Sequence, residues 1–116
     1  MLRDQCFPKA ARLRRRAEFL RVQRAGQRNN LRHFVLIAAP GATHAARLGV
    51  TVSSRVGNAV VRNRVKRLVR ELFRTRSPHR EGANDVVVIA KPGAEVLSHA
   101  QVITELEVPL AAALGG

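Results

Sequence analysis

The sequence has 116 residues, of which 46% are apolar, so it can form one compact domain with a real core but not two. Its 21 lysines and arginines against 8 acids give a net charge of +13, which favours a polyanionic partner, because a surface that merely keeps a protein soluble mixes both signs. A single cysteine, Cys6, excludes an internal disulfide and fits a reducing cytosol, and no apolar run approaches the ~20 residues that span a bilayer. We therefore predict a cytoplasmic protein without a membrane segment.

The charge is unevenly distributed along the chain. Residues 1–80 hold 20 of the 21 basic residues and 3 of the 8 acids, whereas residues 81–116 hold one basic residue and 5 acids. The binding surface should therefore come from the first two thirds of the fold. We expect residues 1–11 to form a flexible tail, since a proline interrupts them, and residues 12–116 to form a single RNA-binding domain.

The first half of this domain predicts one helix and two strands. A helix is predicted over residues 12–25, where apolar residues recur on one side and Gly26 follows at the end. Residues 27–32 are polar and fit either a loop or a short edge strand. Residues 33–39 (HFVLIAA) and 47–53 (RLGVTVS) are typical of strands. Because the connection between these two strands is short, we expect them to pair antiparallel.

The second half predicts a long helix, a strand and a last helix. The long helix runs from Gly57 to Arg76, and residues 85–91 (DVVVIAK) are typical of a strand that is buried on both faces and often parallel to a neighbour. Ser98 and Gln101 have the spacing of a capping box that would start the last helix. The element order α-β-β-(β)-α-β-α predicts an α+β fold, a single-domain two-layer α/β sandwich with helices on a small mixed sheet.

The long helix carries the clearest pattern in the chain. One of its sides is apolar, with Val61, Val65, Leu68, Val69, Leu72 and Phe73. The opposite side is polar and mostly cationic, with Arg62, Asn63, Lys66, Arg67, Arg70 and Arg74. A solvated helix normally places acids four residues from its cations, but here Glu71 is the single acid between Arg62 and Arg76. Since arginine grips phosphate with a planar fork, the helix predicts binding to RNA or DNA.

The residues alone indicate no catalytic site and no metal site built by the protein. The histidines are scattered, no Cys/His pair has the spacing of zinc ligands, and the acids are too dispersed for paired-carboxylate chemistry. Three functional classes stay open at this point: a cofactor protein for a catalytic RNA, a small ribosomal protein and a DNA-binding module. The third lacks a second helix placed to form a helix-turn-helix.

Three segments together resemble one known family. The chain reads RLGVTVSSRVGNAVVRNRVKRLVRELFR from Arg47 to Arg74, RLRRRAEFLRV from Arg12 to Val22, and VVVIAKPG from Val86 to Gly93. The first resembles the signature of the bacterial ribonuclease P protein subunit, in which a strand RLGxxVSKK leads into GNAVxRNRxKRxxRE. The other two are similar to that family's first helix and last strand. The segment that contains Arg-Asn-Arg is the specific part of the resemblance.

The resemblance implies a ribosomal protein S5 domain 2-like fold with a left-handed βαβ crossover. It implies that a monomeric protein binds the ribonuclease P RNA subunit in a 1:1 complex and assists removal of the 5′ leader of precursor tRNA. The RNA subunit would catalyse this cleavage with Mg²⁺, so the protein alone would bind no cofactor. The residues implied for RNA-subunit binding are Arg62, Asn63, Arg64, Lys66, Arg67 and Arg70.

The family also implies a cleft between the first helix and the sheet that receives the single-stranded leader. The candidate cleft residues are Phe19, Phe34, Arg55 and Arg15, although Phe19 fits the core equally well and Phe34 fits it better. The chain departs from the family pattern at Gln23, where many members have a second aromatic residue, and at Ser54-Arg55, which replaces Lys-Lys. These departures predict less base stacking and more dependence on Arg55 and on backbone contacts.

Overall fold

The computed structural model describes residues 12–41, 46–76 and 84–113. These residues form three α-helices and one four-stranded sheet, with a short 3-10 turn before the last helix. In chain order the elements are α1 (Arg16–Ala25), β1 (Gln27–Asn30), β2 (Phe34–Pro40), β3 (Arg47–Val52), α2 (Ala59–Arg76), β4 (Asn84–Ala90), the 3-10 turn (Ala94–Val96) and α3 (His99–Ala113). The predicted α+β class and element order are confirmed, including the short edge strand. The predicted tail, residues 1–11, lies outside the described residues.

The strand order in the sheet is β1-β2-β4-β3, and this corrects one expectation. We expected β2 and β3 to pair antiparallel, but β4 lies between them, antiparallel to β2 and parallel to β3. The physical reason is the composition of β4. Its residues Asp85–Val88 are buried, and a strand covered on both faces is most stable with a hydrogen-bonded neighbour at each edge. The α2 crossover returns the chain to that central position.

Helices cover both faces of the sheet. On one face, α2 and α3 pack over a large apolar cluster that includes Leu36, Val50 and Val88. On the other face, α1 covers a smaller cluster that includes Val22 and Val87. The apolar side of α2 points into the larger cluster as predicted: Val65, Val69, Leu72 and Phe73 are buried.

Local hydrogen bonds determine where helices α1 and α2 begin. Helix α1 begins four residues later than predicted, because Arg12 pairs with Leu48 in an isolated parallel bridge and the Leu13 N–H donates to the Leu48 carbonyl at 2.9 Å. Asn58 caps α2, since its Oδ1 accepts from the Val61 N–H at 3.0 Å. The predicted stop signal after α2, Ser77-Pro78, lies outside the described residues.

The predicted capping box of α3 is confirmed. The Gln101 N–H donates to Ser98 Oγ at 3.1 Å, and the Ser98 N–H donates to Gln101 Oε1 at 2.8 Å. Helix α3 contains Pro109 and still buries Leu106 and Leu110 on either side of it. One carboxylate, Glu105, ties this helix to the β1–β2 connection by accepting from the His33 N–H at 2.6 Å and contacting its ring Nδ1 at 2.7 Å.

Candidate nucleic-acid interface

The six residues implied for RNA-subunit binding all lie on α2, but not all of them face away from the core. Asn63, Arg64 and Arg67 are exposed, and Arg62, Lys66 and Arg70 are half-buried. The half-buried three are spaced four residues apart, so they form one row along the helix. The structure therefore places all six on one helix, with the half-buried row beside the core and the other three exposed to solvent; whether they bind RNA stays a prediction.

Arg64 has a structural contact that the sequence did not indicate. Its Nη2 donates to the Glu95 carbonyl at 2.7 Å, and its Nη1 donates to the Leu97 carbonyl at 3.5 Å. These two carbonyls belong to the 3-10 turn and the residue after it, so Arg64 fastens α2 to the connection between β4 and α3. Its remaining N–H groups are available to a ligand.

The row of half-buried cations is electrostatically crowded. Burial lowers the pKa of Arg70, and the nearby charge of Arg12 lowers it further. Arg12 reaches this side of the sheet because it pairs with Leu48, whose side chain belongs to the cluster beneath α2. The Nε of Arg62 is buried and has no hydrogen-bond partner among the described residues. Since like charges repel, an oxyanion on this face would stabilise it.

The second surface is a depression of about 400 Å³ between α1 and β3. It is lined by Arg14, Arg16, Phe19, Leu20, Gln23 and Thr51. Phe19 is half-buried: its ring packs against the smaller cluster on the sheet and also lines the depression, so both the core and the cleft interpretations stay open. The ring lies directly over Gly49, where an added Cβ would come within 2.6 Å of Phe19 Cε2. A side chain at Gly49 would therefore displace the ring.

The other predicted cleft residues lie elsewhere. Phe34 is 0% exposed and belongs to the cluster on the opposite face of the sheet, so its assignment to the cleft with Phe19 was wrong. The reason is strand alternation, because Val35, not Phe34, faces α1. Arg15 and Arg55 are exposed, before α1 and α2 respectively, but neither lines the depression.

An ion-pair network holds α1 on the sheet beside this depression. The carboxylate of Asp85 is 0% exposed and accepts from Arg21, and also from Arg47 at 2.9 Å (Nη2) and 3.2 Å (Nε). Arg47 also contacts Glu18 of α1 at 3.0 Å. The hydrogen bonds to Asp85 raise the pKa of Arg47, more than its burial lowers it. Arg47 therefore stays charged in the network.

Glu18 links this network to the basic N-terminus of α1. Its Oε1 accepts from the backbone N–H groups of Arg14 at 3.1 Å and Arg15 at 3.3 Å. The Arg14 N–H is the main cause of the lowered pKa of Glu18, and contacts with Arg15 and Arg47 lower it further. Sequence reasoning missed the network. The sequence feature that could have revealed the network is Asp85, an acid at the start of an otherwise apolar strand, because a buried carboxylate requires cationic partners.

Two negative findings concern the described residues alone. Residues 12–41, 46–76 and 84–113 contain no group of three or more His, Cys, Asp or Glu side chains that could hold a metal ion. Within the same ranges, no helix is both long enough and apolar enough to cross a membrane.

Known proteins resemble this chain along most of its length. The sequence model of the family described as Ribonuclease P matches residues 7–113. The ribonuclease P protein component of Desulforapulum autotrophicum is 42% identical over 100 residues, which cover 86% of each chain. That of Citrifermentans bemidjiense is 43% identical over 100 residues, covering 86% of this chain and 85% of the other.

Structural similarity agrees with sequence similarity. The solved structure of the Staphylococcus aureus RNase P protein matches with a TM-score of 0.82 and 33% identity, covering 91% of this chain and 99% of that one. A small ribosomal protein and a DNA-binding module are no longer needed to explain the basic surface. The chain belongs to the ribonuclease P protein component family.

Proposed function

We propose that this chain is the protein subunit of a ribonuclease P, in which it binds the catalytic RNA and the 5′ leader of precursor tRNA and assists removal of that leader. Family membership supports a role in tRNA processing as part of an endoribonuclease complex. The assignment of RNA-subunit binding and of leader binding to particular surfaces is inferred from the geometry. The observation that carries them is the cationic side of α2, which joins Asn63, Arg64 and Arg67 to the half-buried row of Arg62, Lys66 and Arg70.

We assign the side of α2 that faces solvent to the RNA subunit. Arginine forks can bind pairs of phosphate oxygens, and phosphates would neutralise the crowding around Arg70. The apolar side of the same helix is anchored in the core by Val65 and Val69, so the cations are presented on a rigid element. Asn63, exposed between two arginines, can bond a phosphate, a ribose hydroxyl or a base edge.

We assign the depression between α1 and β3 to the single-stranded leader. Arg14 and Arg16 would contact its phosphates, and the exposed edge of Phe19 would contact a base. Gln23 adds an amide where a second aromatic would add stacking, so hydrogen bonding replaces part of the stacking energy. Arg15 and Arg55 are close in sequence to the two surfaces and are proposed as outer phosphate contacts.

Hydrolysis is assigned to the RNA subunit with Mg²⁺ held by RNA. Three of the described carboxylates hold the fold together: Asp85 and Glu18 hold α1, and Glu105 holds the β1–β2 connection. The protein would thus contribute binding and orientation, and the metal-activated nucleophile would come from the RNA site. We further propose a cytoplasmic 1:1 complex of one monomeric protein with one RNA.

The test is cleavage of precursor tRNA by a bacterial ribonuclease P RNA at low Mg²⁺, with and without the full chain. We expect the protein to restore cleavage, and an absence of rescue would refute the proposal. Arg67→Ala should weaken binding to the RNA subunit and reduce its salt dependence by about one charge. Arg24→Ala, which removes an exposed arginine of α1, is the matched control and should leave RNA-subunit binding unchanged.

A further inference from the structure

The residues that lead into α1 place one side chain on each face of the sheet. Arg12 pairs with Leu48 of β3 in a parallel bridge, and the Leu13 N–H donates to the Leu48 carbonyl at 2.9 Å. Successive side chains of an extended segment point to opposite faces. Leu13 is 4% exposed and belongs to the α1-side cluster, so Arg12 points to the face that α2 covers. One short segment thus reaches both proposed binding surfaces.

On the α2 face, Arg12 lies beside the half-buried row of cations. The pKa of Arg70 is lowered mainly by burial and further by the charge of Arg12, so the two guanidinium groups are close enough to repel each other. In the same row, the Nε of Arg62 is buried and has no hydrogen-bond partner among the described residues. A phosphate placed between Arg12 and Arg70 would replace the repulsion by two charge-assisted hydrogen bonds.

On the α1 face, the same segment supports the depression. Leu13 and Phe19 both lie over Gly49, since a Cβ added there would come within 3.2 Å of Leu13 Cβ and 2.6 Å of Phe19 Cε2. Arg14 follows Leu13 directly and lines the depression with Phe19. A change in the position of Arg12 is therefore passed through the packed Leu13 side chain and the backbone to the residues proposed to contact the leader.

We propose that Arg12 couples the two surfaces: a phosphate of the RNA subunit, held between Arg12 and Arg70, fixes the segment that leads into α1 and so strengthens leader binding in the depression. This inference rests on the proposed function, which assigns the two surfaces and leaves them independent of each other. For the leader, Arg12 is a positioning residue, since it does not line the depression. Because linkage is reciprocal, bound leader strengthens RNA-subunit binding by the same factor.

The other contacts that hold α1 do not respond to an RNA on α2. The ion pairs around Asp85 join residues of α1, β3 and β4, so they persist whether or not RNA is bound. The apolar cluster under α1 is separated from the cluster under α2 by the sheet itself. Arg12 differs because its charge acts on α2 while the next residue packs beneath α1. In the protein without RNA, its repulsion from Arg70 weakens the hold on this segment.

The test measures leader affinity with and without the RNA subunit. A labelled single-stranded leader RNA of about ten nucleotides, a length that single-strand binding surfaces commonly cover, is titrated with the full chain alone, with the full chain saturated by a bacterial ribonuclease P RNA, and with that RNA alone. The wild-type protein should bind the leader about fivefold more tightly in the complex, at the low end of usual allosteric couplings. Arg12→Gln should bind the leader normally when free and lose this gain in the complex. Its salt slope for RNA-subunit binding should fall by about one charge.

Matched variants separate coupling from general loss of charge. Arg67→Gln removes an exposed cation of α2 and should weaken RNA-subunit binding, yet at saturating RNA it should keep the full gain in leader affinity. Arg12→Lys keeps the charge and should keep most of the gain. Arg70→Gln removes the other side of the phosphate site and should lose the gain, so it repeats the test if circular dichroism shows that Arg12→Gln is misfolded.

Four results would overturn the inference. A gain that survives in Arg12→Gln would show that the coupling bypasses this residue. An equal loss of leader affinity in the free and the complexed variant would make Arg12 a direct leader contact. Loss of the gain in Arg67→Gln as well would assign it to total charge. A wild-type protein that binds both RNAs without any gain would refute coupling and leave the proposed function standing. Failure to bind the RNA subunit or to stimulate cleavage would instead refute the proposed function, and the inference with it.

Discussion

The buried carboxylate of Asp85 should contribute far more to stability than an exposed carboxylate in an equally close ion pair. Asp85 is 0% exposed and contacts Arg21 and Arg47, whose side chains are 39% and 12% exposed. Asp85→Asn leaves the nearly buried Arg47 with Glu18 as its remaining anion. Removing one member of a buried pair typically costs 3–5 kcal/mol, and since an amide still accepts one hydrogen bond we expect about 3 kcal/mol here.

The assay is urea and thermal unfolding of the full chain monitored by circular dichroism. A loss of about 3 kcal/mol from a domain of this size lowers Tm by about 12 °C. The matched control is Glu71→Gln, the same carboxylate-to-amide change in the exposed pair with Arg74, which should cost under about 0.5 kcal/mol. If Asp85→Asn costs no more than Glu71→Gln, burial does not strengthen the network and the reasoning is refuted.

Three further predictions concern α1, the strand beneath it and α2. Gly49→Ala should displace the Phe19 ring and destabilise the fold by about 1–3 kcal/mol, measured by thermal unfolding, with leader binding weakened in parallel. Arg64→Ala should lower both stability, by about 1 kcal/mol, and RNA affinity, because its guanidinium holds two backbone carbonyls, whereas Arg67→Ala should lower only affinity. The pKa of Glu18 is lower in the folded state than in the unfolded state. Its contribution to folding stability is therefore fully present above the unfolded-state pKa and is lost as the pH falls through the folded-state pKa. A scan of Tm below about pH 5 should therefore decline less steeply for Glu18→Gln than for wild type.

The sequence predicted those elements whose pattern is set by local residues. Helix α2 is recognisable because its apolar and cationic residues alternate with the period of a helix, and β4 because its apolar run is continuous. The pairing of β2 with β3 was predicted wrongly because proximity along the chain favours a hairpin. The insertion of β4 depends on the burial of that strand from both faces, and this is a property of the assembled sheet.

The same distinction between local patterns and contacts made only on folding applies to the candidate site. The cations of α2 could be predicted, since one helix presents them all. The depression at Phe19 was expected from the family resemblance alone, because Thr51 of β3 meets Arg14 and Gln23 of the α1 segment only after folding. Phe34 was misassigned since its place in an apolar run does not reveal which face it occupies. The contact of Arg21 with Asp85 joins residues 64 positions apart and left no local pattern.

The two binding surfaces are held in place by different forces, and salt should therefore affect them differently. Helix α2 is anchored by a buried apolar stripe, so its position does not depend on ion pairs with the sheet, although Arg64 and Arg74 also form contacts within the fold. Helix α1 fully buries only Val22 among its described residues, and ion pairs through Glu18 and Arg21 supplement that small contact. Exposed charges are screened strongly by salt and buried pairs only weakly. Rising salt should thus release RNA from α2 well before it loosens α1, and a charge change in α1 should alter the fold and the leader contact together.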